Sequence, residues 1–139
     1  MEYHYGGKIE IARLLAKMEE NGVALVRLGP NEKQGSKESL RLHSACPDCF
    51  VPTAVHGDGK LWHASDRGFL DQLAADVHSG KYFAMGEFEA RHYASSTNTR
   101  DVHLPADSAA MKVVLELSSE TGIPELFILT FTGPSHAFE

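Results

Sequence analysis

The chain carries only two cysteines, Cys46 and Cys49. Two cannot build a disulfide framework, and their CxxC spacing resembles half of a zinc or redox motif rather than a staple. Basic charge is also scarce. Thirteen Lys and Arg stand against 19 Asp and Glu, for a formal net charge of -6 and a sequence pI near 5.7. Nucleic-acid binders cluster Lys and Arg on one face, so this balance argues against nucleic acid as a partner. No apolar run approaches the roughly 18 residues of a membrane span, and the start Met1-Glu2-Tyr3-His4-Tyr5 lacks the basic and apolar regions of a secretory signal. The expectation is a soluble, cytoplasmic protein with no membrane partner. There is no internal repeat, no low-complexity segment and no linker, so residues 1–139 read as one domain. That length falls well short of the roughly 250 residues of a complete eight-stranded α/β barrel.

What is present is an alternation of helical and strand patterns. Ile11, Leu14, Leu15 and Met18 recur at helical spacing between Ile9 and Asn21, and Gly22 supplies a stop. Val23 to Leu28 is a short apolar run of the kind found in strands buried on both faces, followed by a loop through Gly29, Pro30, Asn31 and Gly35. The pattern predicts a short helix over Lys37 to Ala45 and a strand from Phe50 to Val55, whose case Pro52 weakens. A Gly-rich turn at Gly57 and Gly59 precedes a helix marked by Phe69, Leu70, Leu73, Ala74 and Val77 and ended by Gly80. After a strand that begins near Phe83, residues Ala90 to Pro105 read as a long polar loop, a feature that is often functional. Ser108 caps a last helix, Gly122-Ile123-Pro124 ends it, and Leu126 to Phe131 reads as a buried strand. With a first strand at Tyr3 to Tyr5, the order is five strands and four helices. Helices alternating with apolar strands point to an α/β fold with a parallel sheet, either doubly wound or part of a barrel.

The stretch Phe83 to His92 runs from an apolar start into Glu87, Glu89, Arg91 and His92. In α/β proteins, side chains at the carboxyl ends of strands are the ones placed for chemistry, which makes Glu87 the first candidate. A carboxylate paired with Arg91 or a backbone amide is the bland alternative. The eight histidines are scattered, and His92 and His103 fall in the predicted loop. Cys46 and Cys49 with His43 and His56 formally make four zinc ligands, yet no second CxxC or regular His pair completes a zinc pattern. Gly133-Pro134-Ser135-His136-Ala137 lacks the second glycine of a nucleophile elbow.

Four segments together resemble the metal-dependent amidohydrolase superfamily, in particular its amidohydrolase-related TIM-barrel branch. They are Leu14 to Val23 (LLAKMEENGV), Cys46 to Pro52, Gly86-Glu87-Phe88, and Gly122-Ile123-Pro124. Their order and spacing carry the resemblance, which covers nearly the whole chain. It implies a parallel-stranded partial (β/α) TIM-like barrel corresponding to the N-terminal half of the family's fold. It also implies hydrolysis or decarboxylation of a small carbonyl substrate with a divalent metal, zinc above all. By that resemblance His4 matches the second histidine of the first-strand metal pair, Glu2 stands where the first would be, and Glu87 matches the fourth-strand carboxylate. Metal ligands are therefore expected at His4, Glu87 and Glu2, catalytic roles at Glu87 and Arg91, and a substrate-facing shell or replacement ligands from Glu89, Arg91, His92 and His103. The fifth-strand histidine is replaced by Ile128 and Leu129, and no later strands exist in the chain. Such a site works because the cation lowers the pKa of a bound water toward about 7 and polarises the carbonyl. The alternatives are a non-catalytic half barrel that self-associates to cover its open edges, and a small zinc module at Cys46 and Cys49.

Overall fold

The computed structural model describes residues 2–5, 10–30, 35–54, 59–93 and 101–129. The first strand, β1 (Glu2–Tyr5), is followed by helix α1 (Ile11–Glu20), which buries Leu14 and Met18 one turn apart. Its end follows from local chemistry. Gly22 takes a positive φ of 64, so the N–H groups of Gly22 and Val23 turn back onto the carbonyls of Glu19 and Met18 at 3.1 and 2.8 Å. Val23 is thereby committed to the helix cap. The strand predicted to begin there, β2, runs instead over Val26–Pro30, taking in Gly29 and Pro30, which the sequence pattern assigns to a loop. Parallel pairing with β1 draws them in, with His4 opposite Gly29 and Tyr5 opposite Pro30.

Helix α2 (Gly35–Ala45) leads through a turn to β3 (Phe50–Val51), and Pro52 separates β3 from β4 (Thr53–Ala54). The single predicted strand is thus two, because proline donates no ladder hydrogen bond. β3 pairs in parallel with β2, and β4 pairs in parallel with the next long strand. Before that strand come α3 (Gly59–His63), which the sequence pattern assigns to a turn, and α4 (Arg67–His78). Asp66 caps α4 by accepting the Phe69 N–H at 2.9 Å.

β5 (Ala84–His92) is the longest strand, and β6 (Val102–His103) returns antiparallel along its far end, Arg91 opposite His103. The predicted polar loop therefore begins within β5 and takes in β6 before it reaches Pro105. Helix α5 (Ala109–Thr121), capped by the Ser108 hydroxyl, leads to β7 (Glu125–Leu129), which lies parallel to β5. At Met85, β5 has β4 and β7 as partners, and at Arg91 it has β6 and β7. β4 and β6 therefore share one side of β5, and β7 takes the other.

The fold is α/β, with five helices and seven strands among the described residues. This corrects the expected count of five strands and four helices. It also corrects the expectation of a purely parallel array, since β6 runs antiparallel. The strands form two sheets, β1-β2-β3 and β4-β5-β6 with β7 on β5, and no pairing among the described residues closes them into a barrel. The parallel strands nonetheless follow chain order from β1 through β2, β3 and β4 to β5 and β7. Leu14, Met18, Val26, Leu42 and Phe50 make one apolar cluster beneath α1 and α2. A larger cluster joins α3, α4 and α5 to β4, β5 and β7.

Candidate functional site

β5 sets the site. Along it the burial alternates: Phe88 and Ala90 are buried, while Glu87, Glu89 and Arg91 are half-buried on the intervening positions. A strand places successive side chains on opposite faces, and the three charged groups hold the half-buried alternate positions of a strand whose ladder with β7 shifts register between Gly86 and Phe88 and between Glu89 and Arg91. Gly86 begins this stretch with a φ of 93, and a Cβ there would lie 2.6 Å from the Leu126 carbonyl oxygen of β7. Only glycine permits that approach. The Gly86-Glu87 peptide bond is cis.

Trp62 of α3 anchors the far side of β5. Its ring stacks on Phe88 with centroids 4.6 Å apart, lies 6.4 Å from Phe127 of β7, and its Nε1 donates to the Glu89 carbonyl at 2.9 Å. This brings the neighbouring His63 to the charged row, with Nε2 3.8 Å from Glu89 Oε2, both side chains about four-fifths buried. Sequence reasoning missed His63 and Trp62 because a five-residue helix between glycines is too short to show a period. It also missed Arg27, whose guanidinium reaches from β2 to donate to the Met85 carbonyl at 2.7 Å, two residues before Glu87. A lone arginine in the apolar run Val23 to Leu28 was the available signal.

Arg91 is held in place by several contacts. It lies 3.5 Å from Asp101, donates to the Val102 carbonyl at 3.3 Å, and stacks over the Tyr93 ring at 4.0 Å. These contacts tie the end of β5 to β6. His92 is half-buried opposite Val102, and His103 is exposed opposite Arg91. Glu2 and His4 belong to β1, but their side chains lie outside the described residues. The strands β2, β3 and β4 stand between β1 and β5. With β3 and β4 as consecutive parts of one run, β1 and β5 lie about 14 Å apart along the hydrogen-bonding direction of an uncurled sheet.

The alternative expectation at the CxxC is a small zinc module. Cys46 and Cys49 form a disulfide, which leaves no thiolate to bind a metal, and His43 places Nδ1 2.7 Å from the Phe50 carbonyl. His56 and residues 133–137 lie outside the described residues. Among the described residues, no three His, Cys, Asp or Glu side chains come together to hold a metal ion. Their donor set does not by itself fit a metal centre at Glu87, which would need ligands from β1. No helix among the described residues is long and apolar enough to cross a membrane.

The strand order and the charged row define an α/β protein with a polar cluster on the carboxyl half of its longest strand. Comparison with family models, curated proteins and solved structures gives no match to this chain.

Proposed function

We propose that this chain is a hydrolase of the amidohydrolase type, built on part of a TIM-like barrel and acting in the cytoplasm on a small carbonyl substrate. The observation that carries the reading is the half-buried row Glu87, Glu89 and Arg91 on the carboxyl half of β5, in a run of parallel strands that follow chain order. In this reading Glu87 takes the proton of the attacking water. A carboxylate suits that role when it is held within hydrogen-bond reach of the water in a partly dry site. Arg91, fixed by Asp101 and Tyr93, orients an anionic group of the substrate. A divalent cation, zinc above all, would be held by Glu87 only if the sheet brings Glu2 and His4 of β1 to it, and it would then polarise the carbonyl.

The test is hydrolysis of an ester and amide panel by purified protein, with elemental analysis of the same sample. Activity is expected, with retained zinc or manganese, and Glu87→Gln should lower kcat/KM on the order of 10²-fold or more. No turnover above background, or equal turnover by Glu87→Gln, overturns the reading. A second reading is a self-associating half barrel without catalysis. It is supported by β1 and β7, each of which has a strand partner on one side only among the described residues. An inactive, metal-free dimer by light scattering would favour it.

A further inference from the structure

The Cys46–Cys49 disulfide, with Cα atoms 5.3 Å apart, plays no part in the charged row on β5. Three features set it apart from a buried staple. Both cysteines are half-buried, whereas inert structural cysteines sit in a closed interior. The turn that carries them is also held by its own backbone. The Cys46 carbonyl accepts the N–H groups of Cys49 and Phe50 at 3.1 and 3.2 Å, and the Cys46 N–H donates back to the Leu42 and His43 carbonyls at 3.3 and 3.1 Å. Opening the sulfur bond therefore leaves the turn in place, and the oxidised and reduced forms can interconvert without unfolding. Finally, Cys49 lines a cavity of about 370 Å³ whose other walls are Leu15, Met18, Val23, Ala24 and Glu19. This is a shallow, mainly apolar recess with one acidic residue, Glu19, and with Cys49 in its wall.

We propose that Cys46–Cys49 is a thiol–disulfide exchange site, and that this cavity receives the apolar group carried by a substrate thiol. The substrate thiolate attacks Cys49 Sγ. A mixed disulfide forms there, the Cys46–Cys49 bond breaks, and its electron pair leaves on Cys46 Sγ, which takes a proton from water. A second substrate thiolate attacks the substrate sulfur of the mixed disulfide and releases Cys49 as a thiolate, which is protonated in turn. Two thiols become one disulfide, and their two electrons reduce the protein pair to a dithiol. Run backward, the same steps reduce a substrate disulfide. Glu19 on the cavity edge selects neutral or cationic apolar thiols over anionic ones.

The experiment uses the full chain carrying Cys46→Ser, which leaves Cys49 as a single thiol. Mixed-disulfide formation is followed by mass spectrometry with two probes of similar thiol chemistry, the disulfides of 2-phenylethanethiol and of 2-hydroxyethanethiol. Each rate is divided by the rate for the same chain in denaturant, which removes intrinsic reactivity. The phenylethyl probe is expected to be favoured by about tenfold or more in the folded chain, the effect of burying an apolar group of that size only in part. Ala24→Glu, on an exposed wall of the cavity, should abolish that preference without touching the core. Equal normalised rates, or a preference that survives Ala24→Glu, overturns the proposal. If Cys46→Ser does not fold, reduction of the native disulfide by the two free thiols provides the same comparison.

Discussion

Around α1, α2, β2 and β3, five buried side chains form a small core against which Cys46 and Cys49 also pack. Around α3, α4, α5 and the strands they cover, thirteen buried residues form a larger core that includes the stacked rings of Trp62 and Phe88, with Phe127 alongside. The first region adds local devices to the pairing of β1, β2 and β3: the cap at Gly22 and Val23, the turn from Cys46 to Phe50, and the disulfide. The second is held by contacts between residues far apart in the chain, such as Trp62 on Glu89 and Gly86 against Leu126. The candidate site stands on the second region, where a rigid support can keep a charged row in place. The exchange site proposed at the disulfide stands on the first, where the turn holds its shape through local hydrogen bonds.

The sharpest way to break this comparison is Trp62→Ala, which empties the centre of the larger core. A loss of about 3–5 kcal/mol is expected in chemical denaturation, and hydrogen exchange should quicken at β5 and β7 before it does at β2. Uniform quickening would mean that the two regions unfold as one. Gly86→Ala comes next, because it forces a Cβ against the Leu126 carbonyl at a positive φ. It should cost on the order of 3 kcal/mol and also disturb Glu87, so full activity with unchanged stability would show that β5 and β7 do not approach as described. Reduction of Cys46–Cys49 acts on the smaller region and opens only a short loop, so denaturation in reductant should show a loss of at most about 2 kcal/mol. A larger loss would make the bond the main support of that region.

The smallest effect concerns pH. Burial, and then the charge of Asp76, push the Tyr82 phenol above its ordinary value of 10.0, while a hydrogen bond from Ser36 opposes the shift. A raised folded pKa favours the neutral phenol in the native state. Its stabilising contribution is therefore complete below pH 10.0, the unfolded value, and is lost as pH climbs from there through the folded value. Thermal melts of Tyr82→Phe should show a shallower decline in that alkaline range than those of the parent chain. Parallel declines would remove Tyr82 as the cause.

The helices α1, α2, α4 and α5 were legible because their signals are local. The apolar spacing of Leu14 and Met18, the Ser108 cap and the glycines after α1, α4 and α5 lie within a few residues of the backbone groups they satisfy. The strands were legible as apolar runs but not in their bounds, since Val23 served a helix cap and Pro30 joined a ladder. The candidate carboxylate Glu87 stood out as a charge following an apolar run. Its neighbours His63 and Arg27 did not, because each reaches β5 from an element remote in the chain.

By itself, then, the sequence determined an α/β chain whose helices start and stop where side chains and glycines within a turn or so require it. Tertiary structure alone decided that β6 folds back antiparallel on β5, that Pro52 divides one strand between two sheets, and that Glu89 meets His63. The physical reason is range. A helix satisfies its backbone hydrogen bonds within four residues, whereas a strand must find its partners elsewhere in the chain, and no local pattern records which ones it finds.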